Sequence, residues 1–364
     1  MTSSRSKMPP PALLRAVDTV RNTLARVHRR LAPGPIALME LIGAGWLSQA
    51  IHAATVLGVA DALADGPRSG AELARATGAD EESLHRLLRL LISHGVFDRR
   101  SDGRYTLTPI ADALRRDADV TLRDAALFFG SPIHRNHWSH LVDAVRTGRP
   151  VGTELEGMPF FEYVKTDRET GELFDRAMTS ISTLGLEPLL AAYNFSAYRT
   201  IVDVGAGEGA LLTEILSRTP QSSGILFDMP EVVAEAPARL AELGLADRCA
   251  VAAGSFFENV PAGGDAYILK HIIHDWSDEQ AKQILRAVHT AMPQHAKLLL
   301  IELVVPEDKR PHPGKLIDLE MLVNAGGRER TESEYRAFLA EAGFTLQRRV
   351  PTLSPDNVLE ASPS

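Results

Sequence analysis

One cysteine, Cys249, is present in a chain of 364 residues. A lone thiol excludes an intrachain disulfide framework and any cysteine-based zinc cluster. Long apolar runs are missing too. The most apolar stretch, Leu298 to Val305, is eight residues long and carries Glu302, far short of the roughly 18 residues that a membrane span requires. The opening Met-Thr-Ser-Ser-Arg-Ser-Lys leads to Pro9-Pro10-Pro11 without the apolar centre of a secretory signal. Basic charge is not in excess: 39 Lys+Arg stand against 47 Asp+Glu, a net charge of −8. That balance excludes general adhesion to nucleic acid or anionic lipid. Internal repeats and low-complexity tracts are absent. What remains, 45% hydrophobic and 24% charged, reads as a soluble cytoplasmic protein. At roughly 150 residues per domain, it has length for two or three domains.

Charge is not spread evenly. Residues 1–40 hold seven Arg/Lys against two acids. Within them Leu13, Val17, Val20, Leu24, Val27 and Leu31 recur at spacings of three and four, the stripe of an amphipathic helix. Its expected use is packing on its own domain or on a partner subunit. Further on, Ala71–Ala74 reads as a helix, Thr77–Asp80 as a turn and Glu82–His94 as a second helix stopped by Gly95. Short β-prone runs at 96–99 and 105–107 flank Asp102-Gly103, a hairpin signal. Together these predict a winged helix-turn-helix. Such a fold raises the alternative of a ligand-sensing transcription regulator. The second helix opens with Glu81-Glu82, however, which would face phosphates of like charge, so a packing or dimerisation module is the reading it favours.

Residues 120–195 continue as helices rich in large side chains, among them Phe128, Trp138, Phe160, Phe161, Phe174 and Met178. From Tyr198 strands alternate with helices: 201–204, 225–228, 250–252, 266–269 and 297–305 read as strands, and 210–217, 231–243, 278–291 and 332–342 as helices. That alternation predicts an α/β, doubly wound, Rossmann-like sheet with its ligand at the strand C-terminal edge. The expected organisation is an N-terminal helical, winged-helix domain over 1–115, suited to packing or dimerisation, a helical layer over 116–195 and an α/β ligand-binding domain over 196–364.

Gly205-Ala206-Gly207-Glu208-Gly209 joins a strand to a helix, where glycine allows a sharp turn and close approach to a ligand. Asp228 follows 19 residues beyond Gly209, at the next strand end, where a carboxylate can hold ribose hydroxyls. Asp203 would stand near a ligand ammonium group. Carboxylates at strand ends without a basic residue on the loop disfavour a pyrophosphate and favour S-adenosylmethionine, whose amino and sulfonium groups are cationic.

Five segments in order then carry a resemblance: 203–209, Phe-Asp-Met-Pro-Glu-Val-Val (227–233), Ala-Gly-Ser-Phe-Phe-Glu-Asn-Val-Pro (253–261), Ile-Leu-Lys-His-Ile-Ile-His-Asp-Trp-Ser-Asp-Glu (268–279) and Gly-Gly-Arg-Glu-Arg-Thr-Glu (326–332). Over nearly the whole chain the sequence resembles the S-adenosylmethionine-dependent small-molecule O-methyltransferases, the branch of plant phenolic and bacterial antibiotic-tailoring enzymes. The resemblance implies a homodimer and an aromatic small-molecule acceptor, without nucleic acid, membrane or metal. It places the general base at His274, an imidazole being suited to proton transfer near neutral pH, supported by the carboxylates of Glu302 and Glu329. For the cofactor it implies Asp203, Gly205, Gly207, Asp228, Met229, Ser255, Phe256, Lys270 and Trp276. Ser255 stands where the family usually has an aspartate that meets the adenine amino group. For the acceptor it implies Phe174, Met178, Met321 and Asn324, thioethers fitting flat rings well. Glu302 stands out independently, since an acid inside a buried strand needs a partner. Relatives that bind the cofactor without methylating form a further alternative, which His274 with both carboxylates opposes. His134, His137 and His140 recur at three, and His271 lies three before His274, but positions six apart on a helix diverge by about 120°, so an active-site or interface lining role for one of them fits better than a metal site.

Overall fold

The structure, a computed structural model, describes residues 11–364. Two compact units divide the chain. One comprises Thr19–Val142 and Leu155–Leu184; the other comprises Asp143–Glu154 and Gly185–Ser364, with the start of the first helix up to Asp18.

In the first of these units the helix Gly70–Thr77 begins at a Ser69/Glu72 capping box, and the helix Glu81–Ser93 begins where Asp80 accepts from the Ser83 amide. Gly95 ends the second helix with φ +70°. Strands β1 (Phe97–Arg99) and β2 (Tyr105–Leu107) pair antiparallel, Phe97 opposite Leu107. The expected winged arrangement is therefore present, packed around Leu73, Leu84, Leu88, Leu91, Phe97 and Tyr105. Helix Pro11–Leu31 carries the expected stripe, and Val17, Val20, Leu24, Val27 and Leu31 lie exposed on it. The side chain of Leu13 lies outside the described residues.

The other unit is built on a seven-stranded sheet of order β5-β4-β3-β6-β7-β9-β8. Its strands are β3 (Thr200–Val204), β4 (Ser223–Asp228), β5 (Cys249–Ala253), β6 (Ala266–Lys270), β7 (Lys297–Leu303), β8 (Phe344–Pro351) and β9 (Asp356–Pro363). The strands β3 to β7 run parallel, and their residues alternate between two cores. Val202, Tyr267, Leu269, Leu298 and Leu300 pack with the helices Asp278–Ala291 and Glu332–Glu341. Ile201, Leu226, Ile268, Leu299 and Ile301 pack with the helices Ala210–Arg218 and Ala236–Glu242. Two expectations shift. The helix expected from 231 starts only at Ala236, because Pro237, lacking an N–H, fits its first turn. The sheet also gains an antiparallel β8–β9 hairpin, with β9 wedged between β7 and β8. No helix among the described residues is long and apolar enough to cross a membrane.

Candidate active site

Parallel strands deliver their C-terminal ends to one edge of the sheet, and four successive strand ends carry the residues expected to hold the cofactor. After β3 the loop runs through Gly205, Gly207 and Gly209, all at positive φ. A Cβ on Gly205 would overlap Ile272, and one on Gly209 would overlap Leu226, whereas Gly207 faces open space. The loop is thus tight where it packs and free at its tip. Asp228, ending β4, ties that tip down by accepting from the Gly207 amide at 2.8 Å. Met229 follows it. After β5, Ser255 accepts from the Phe257 amide at 3.3 Å, and Phe256 lies where a Cβ on Gly205 would meet it at 3.5 Å. Phe256, Phe257 and Trp276 form an edge-to-face aromatic group with centroids 4.8–6.0 Å apart.

Asp203 is buried, and its Oδ2 has no hydrogen-bond partner. Burial, with Asp228 adding to it and Lys270 pulling the other way, pushes its carboxyl up to about 7. Lys270, at the end of β6, is held below the usual ammonium range by burial, against Asp356, Asp203 and Glu302. A buried orphan carboxylate oxygen under a glycine loop with an open tip fits a ligand bearing an ammonium group and a ribose. S-Adenosylmethionine carries both, and so the residues present fit it.

Past Lys270 the chain makes a one-turn helix, Ile273–Asp275, that places His274. The ring is almost fully enclosed. Its Nδ1 lies 2.7 Å from Glu329 Oε1. Glu302, the inward acid of β7, accepts instead from the Ile273 amide at 2.9 Å and keeps its other oxygen 3.9 Å from Nδ1. The two carboxylates thus divide the work: Glu329 holds the ring, and Glu302 holds the turn that carries it. Burial alone would lower the imidazolium pKa, but Asp275, Glu302 and Glu329 outweigh it and push His274 up to about 10. Glu302 itself is pushed up to about 8, chiefly by burial, against the attraction of His274. Glu302 Oε2 and Glu329 Oε2 have no hydrogen-bond partner. Ligand atoms of His274, Glu302 and Glu329 lie within 4.8 Å of one another, close enough for one cation, although Nδ1 is already engaged by Glu329.

Two residues of this neighbourhood, Asp275 and Asp318, escaped the sequence reading, whereas His271 figures in it, three residues before His274. Asp275 Oδ1 stands 3.4 Å from His274 Nε2, the ring atom left after Glu329 has taken Nδ1. Asp318 accepts from the Glu329 amide at 2.9 Å and so positions it. His271 sits 5.4 Å from the His274 ring, centroid to centroid. For Asp275 the signal was available, since it adjoins the base in sequence. Asp318 lies 11 residues from its partner, with no local pattern to mark it.

Of the residues expected to meet the acceptor, Met321 and Asn324 share a π-helical turn, Met321–Ala325, and both are buried. Such turns are frequent at functional sites. Asn324 Nδ2 donates to Glu320 Oε1 at 2.7 Å. Phe174 and Met178 belong to the other unit, one helical turn apart in an aromatic cluster with Phe128 and Phe160. His134 joins that cluster, its ring 5.1 Å from Phe129. His137 instead pairs Nε2 with Glu156 at 3.1 Å. Two members of the three-residue histidine repeat therefore part company, His134 joining an aromatic cluster and His137 bonding a glutamate.

Comparison with known proteins converges on one family. The family model for the O-methyltransferase domain matches residues 138–345, and that for the O-methyltransferase dimerisation domain matches 39–117. A phenazine O-methyltransferase of Lysobacter antibioticus is 40% identical over 326 residues, which is 90% of this chain and 95% of that protein. The mitomycin biosynthesis 6-O-methyltransferase of Streptomyces lavendulae is 40% identical over 314 residues, 86% and 89% of the two chains. Among solved structures, an O-methyltransferase from neocarzinostatin biosynthesis superposes with a TM-score of 0.74 at 33% identity, covering 87% of this chain and 96% of that one. It was solved with S-adenosylmethionine and 2-hydroxy-5-methyl naphthoic acid.

Proposed function

This chain belongs to the S-adenosylmethionine-dependent O-methyltransferases, and from that membership we propose that it methylates a hydroxyl of an aromatic small molecule, with His274 as the base and a second copy of the chain as its partner. The His274 Nδ1–Glu329 Oε1 bond of 2.7 Å carries the reading. An ionised carboxylate can only accept, so Glu329 keeps the ring proton on Nδ1 and leaves Nε2 to receive another.

The cofactor supplies an electrophilic methyl group on a cationic sulfonium. In this reading Asp203, Lys270 and the loop 205–209 hold its amino-acid end. Asp228 and Met229 hold the ribose and adenine, and Ser255, Phe256 and Trp276 close the nucleoside pocket. Ser255 offers the adenine a neutral contact in place of a charged one. Met321 and Asn324 line the acceptor side, with Phe174 and Met178 as further acceptor residues. The hydroxyl proton leaves the acceptor oxygen for His274 Nε2 as that oxygen takes the methyl group. Asp275, Glu302 and Glu329 stabilise the resulting imidazolium. The other products are the methyl ether and S-adenosylhomocysteine.

Labelled S-adenosylmethionine with a panel of hydroxylated naphthalenes and benzoates tests the proposal. The expected result is transfer of label to oxygen, lowered by about 10²-fold or more in His274→Ala. Cofactor binding with no transfer to any aromatic hydroxyl would overturn it.

A further inference from the structure

His271 is the only non-glycine residue at positive φ among the described residues, at +52°. Outside glycine that region is uncommon, though histidine enters it more often than most residues, and it persists where the surroundings over-determine it. The constraints are visible. Its amide donates to Ile301 O at 3.0 Å as β6 ends. Its Nε2 lies 2.8 Å from Asp356 Oδ1 on β9. Asp356 is buried, accepts also from Ser354 Oγ at 3.3 Å, and is approached so closely by Gly185 that a Cβ there would overlap it. The Asp356 carboxyl is held below its usual range: burial opposes this, but His271 and Lys270 outweigh it. It is therefore ionised and acts as the acceptor, which puts the His271 proton on Nε2 and a lone pair on Nδ1. No other hydrogen bond of this ring occurs among the described residues, and a quarter of its side chain is exposed (26%).

The charged and titratable groups around the ring are Lys270, His274 and Asp356. Burial and Lys270 hold the imidazole below its usual range, Asp356 pulling the other way. The ring is neutral at pH 7. Two imidazoles thus stand 5.4 Å apart with opposite arrangements. His274 is pinned through Nδ1 by Glu329, with Asp275 Oδ1 3.4 Å from its Nε2, and His271 is pinned through Nε2 by Asp356, which leaves the His271 Nδ1 without a hydrogen bond among the described residues.

We propose that His271 is an acceptor-binding residue whose Nδ1 takes a hydrogen bond from a donor on the carbon next to the reacting hydroxyl, so that the enzyme selects aromatic acceptors with two adjacent donors, a vicinal diol or an ortho-aminophenol. This rests on the reading of His274 as the base. One donor gives its proton to His274 Nε2 and is methylated. Its neighbour stays on His271 and fixes which of the two positions reacts. Asp356 is a positioning residue that sets the His271 tautomer.

The test compares kcat/KM for 2,3-dihydroxynaphthalene and 3-amino-2-naphthol with that for 2-naphthol and 3-methoxy-2-naphthol. The wild-type enzyme is expected to favour the first pair by about tenfold, one hydrogen bond's worth. His271→Asn, a residue type that tolerates positive φ, and Asp356→Asn should each cut turnover of the first pair at least fivefold more than that of the second. The ratio within one preparation is independent of the fraction folded. Equal wild-type rates on both pairs overturn the selection proposal while leaving the methyltransferase reading intact. A uniform loss on both pairs in the variants overturns the role of His271. No methylation of these four while another aromatic hydroxyl is methylated overturns the selection proposal alone, and no transfer to any aromatic hydroxyl overturns both.

Discussion

At the scale of single residues, a base whose imidazolium is favoured to about pH 10 has a consequence for rate. Catalysis needs the neutral ring, and a group with a pKa near 10 is neutral in only about one molecule in a thousand at pH 7. The pH–rate profile of kcat/KM should therefore climb close to tenfold per unit between pH 7 and 9, instead of breaking near the ordinary imidazole value. Glu329→Gln removes one negative charge at 2.7 Å and should move that rising limb down by roughly 1–3 units. It also loosens the ring, so the maximum rate falls. A wild-type profile flat from pH 6 to 9 would reject His274 as the titrating base. Glu302, by contrast, touches the ring only at 3.9 Å and bonds the Ile273 amide. Glu302→Gln keeps an acceptor for that amide, and should shift the limb less than Glu329→Gln does.

At the scale of elements, the site depends on how closely the segment carrying Glu329 approaches the turn carrying His274. Arg328 donates its amide to the His274 carbonyl at 2.9 Å, and a Cβ on Gly327 would overlap that carbonyl. Arg330 locks the same segment from beneath: its buried guanidinium bonds Asp278 at 2.5 Å and lies 4.3 Å over Phe338. Gly327→Ala must push the two segments apart. It is expected to destabilise the protein by about 2 kcal/mol, in the range for overpacking, and to lower kcat by separating Glu329 from His274. A thermal melt with a kinetic assay checks both, and an unchanged melting temperature with full activity would reject the overlap. Much of this was legible beforehand. The helix Asp278–Ala291 appears at the residues read for it, capped by Ser277, and the strand ends bearing Asp203, Asp228 and Lys270 followed from the alternation of periods. The β8–β9 hairpin was not legible. A register shift between Leu346 and Arg348 breaks the period of two in β8. In β9 the buried positions include Asp356, Asn357 and Glu360, which read as loop. They are buried because His271 bonds Asp356, Arg349 bonds Asn357, and Tyr193 and Arg348 bond Glu360. Such long-range pairing leaves no local signature.

At the scale of the whole molecule, the N-terminal apolar surface requires a cover. The helix Gly34–Val56 buries Ala50 and Ala54 on its own unit, yet exposes Ile36, Leu38, Met39, Leu41, Ile42 and Trp46, each more than half accessible. A helix apolar on all sides is normally enclosed, and a contiguous patch of this kind on a lone chain marks an interaction site. The family's dimerisation model begins at residue 39, inside this helix, so a second copy of the chain is the occupant we propose. A double substitution Leu41→Asp with Trp46→Asp places like charges on both sides of such a contact. It is expected to convert a dimer to a monomer in sedimentation equilibrium at micromolar concentration. None of these exposed side chains belongs to the winged-helix core around Leu73, Leu88 and Phe97, so the monomer should keep its far-ultraviolet circular dichroism. A double variant that sediments as the wild type does would exclude this face as the dimer contact.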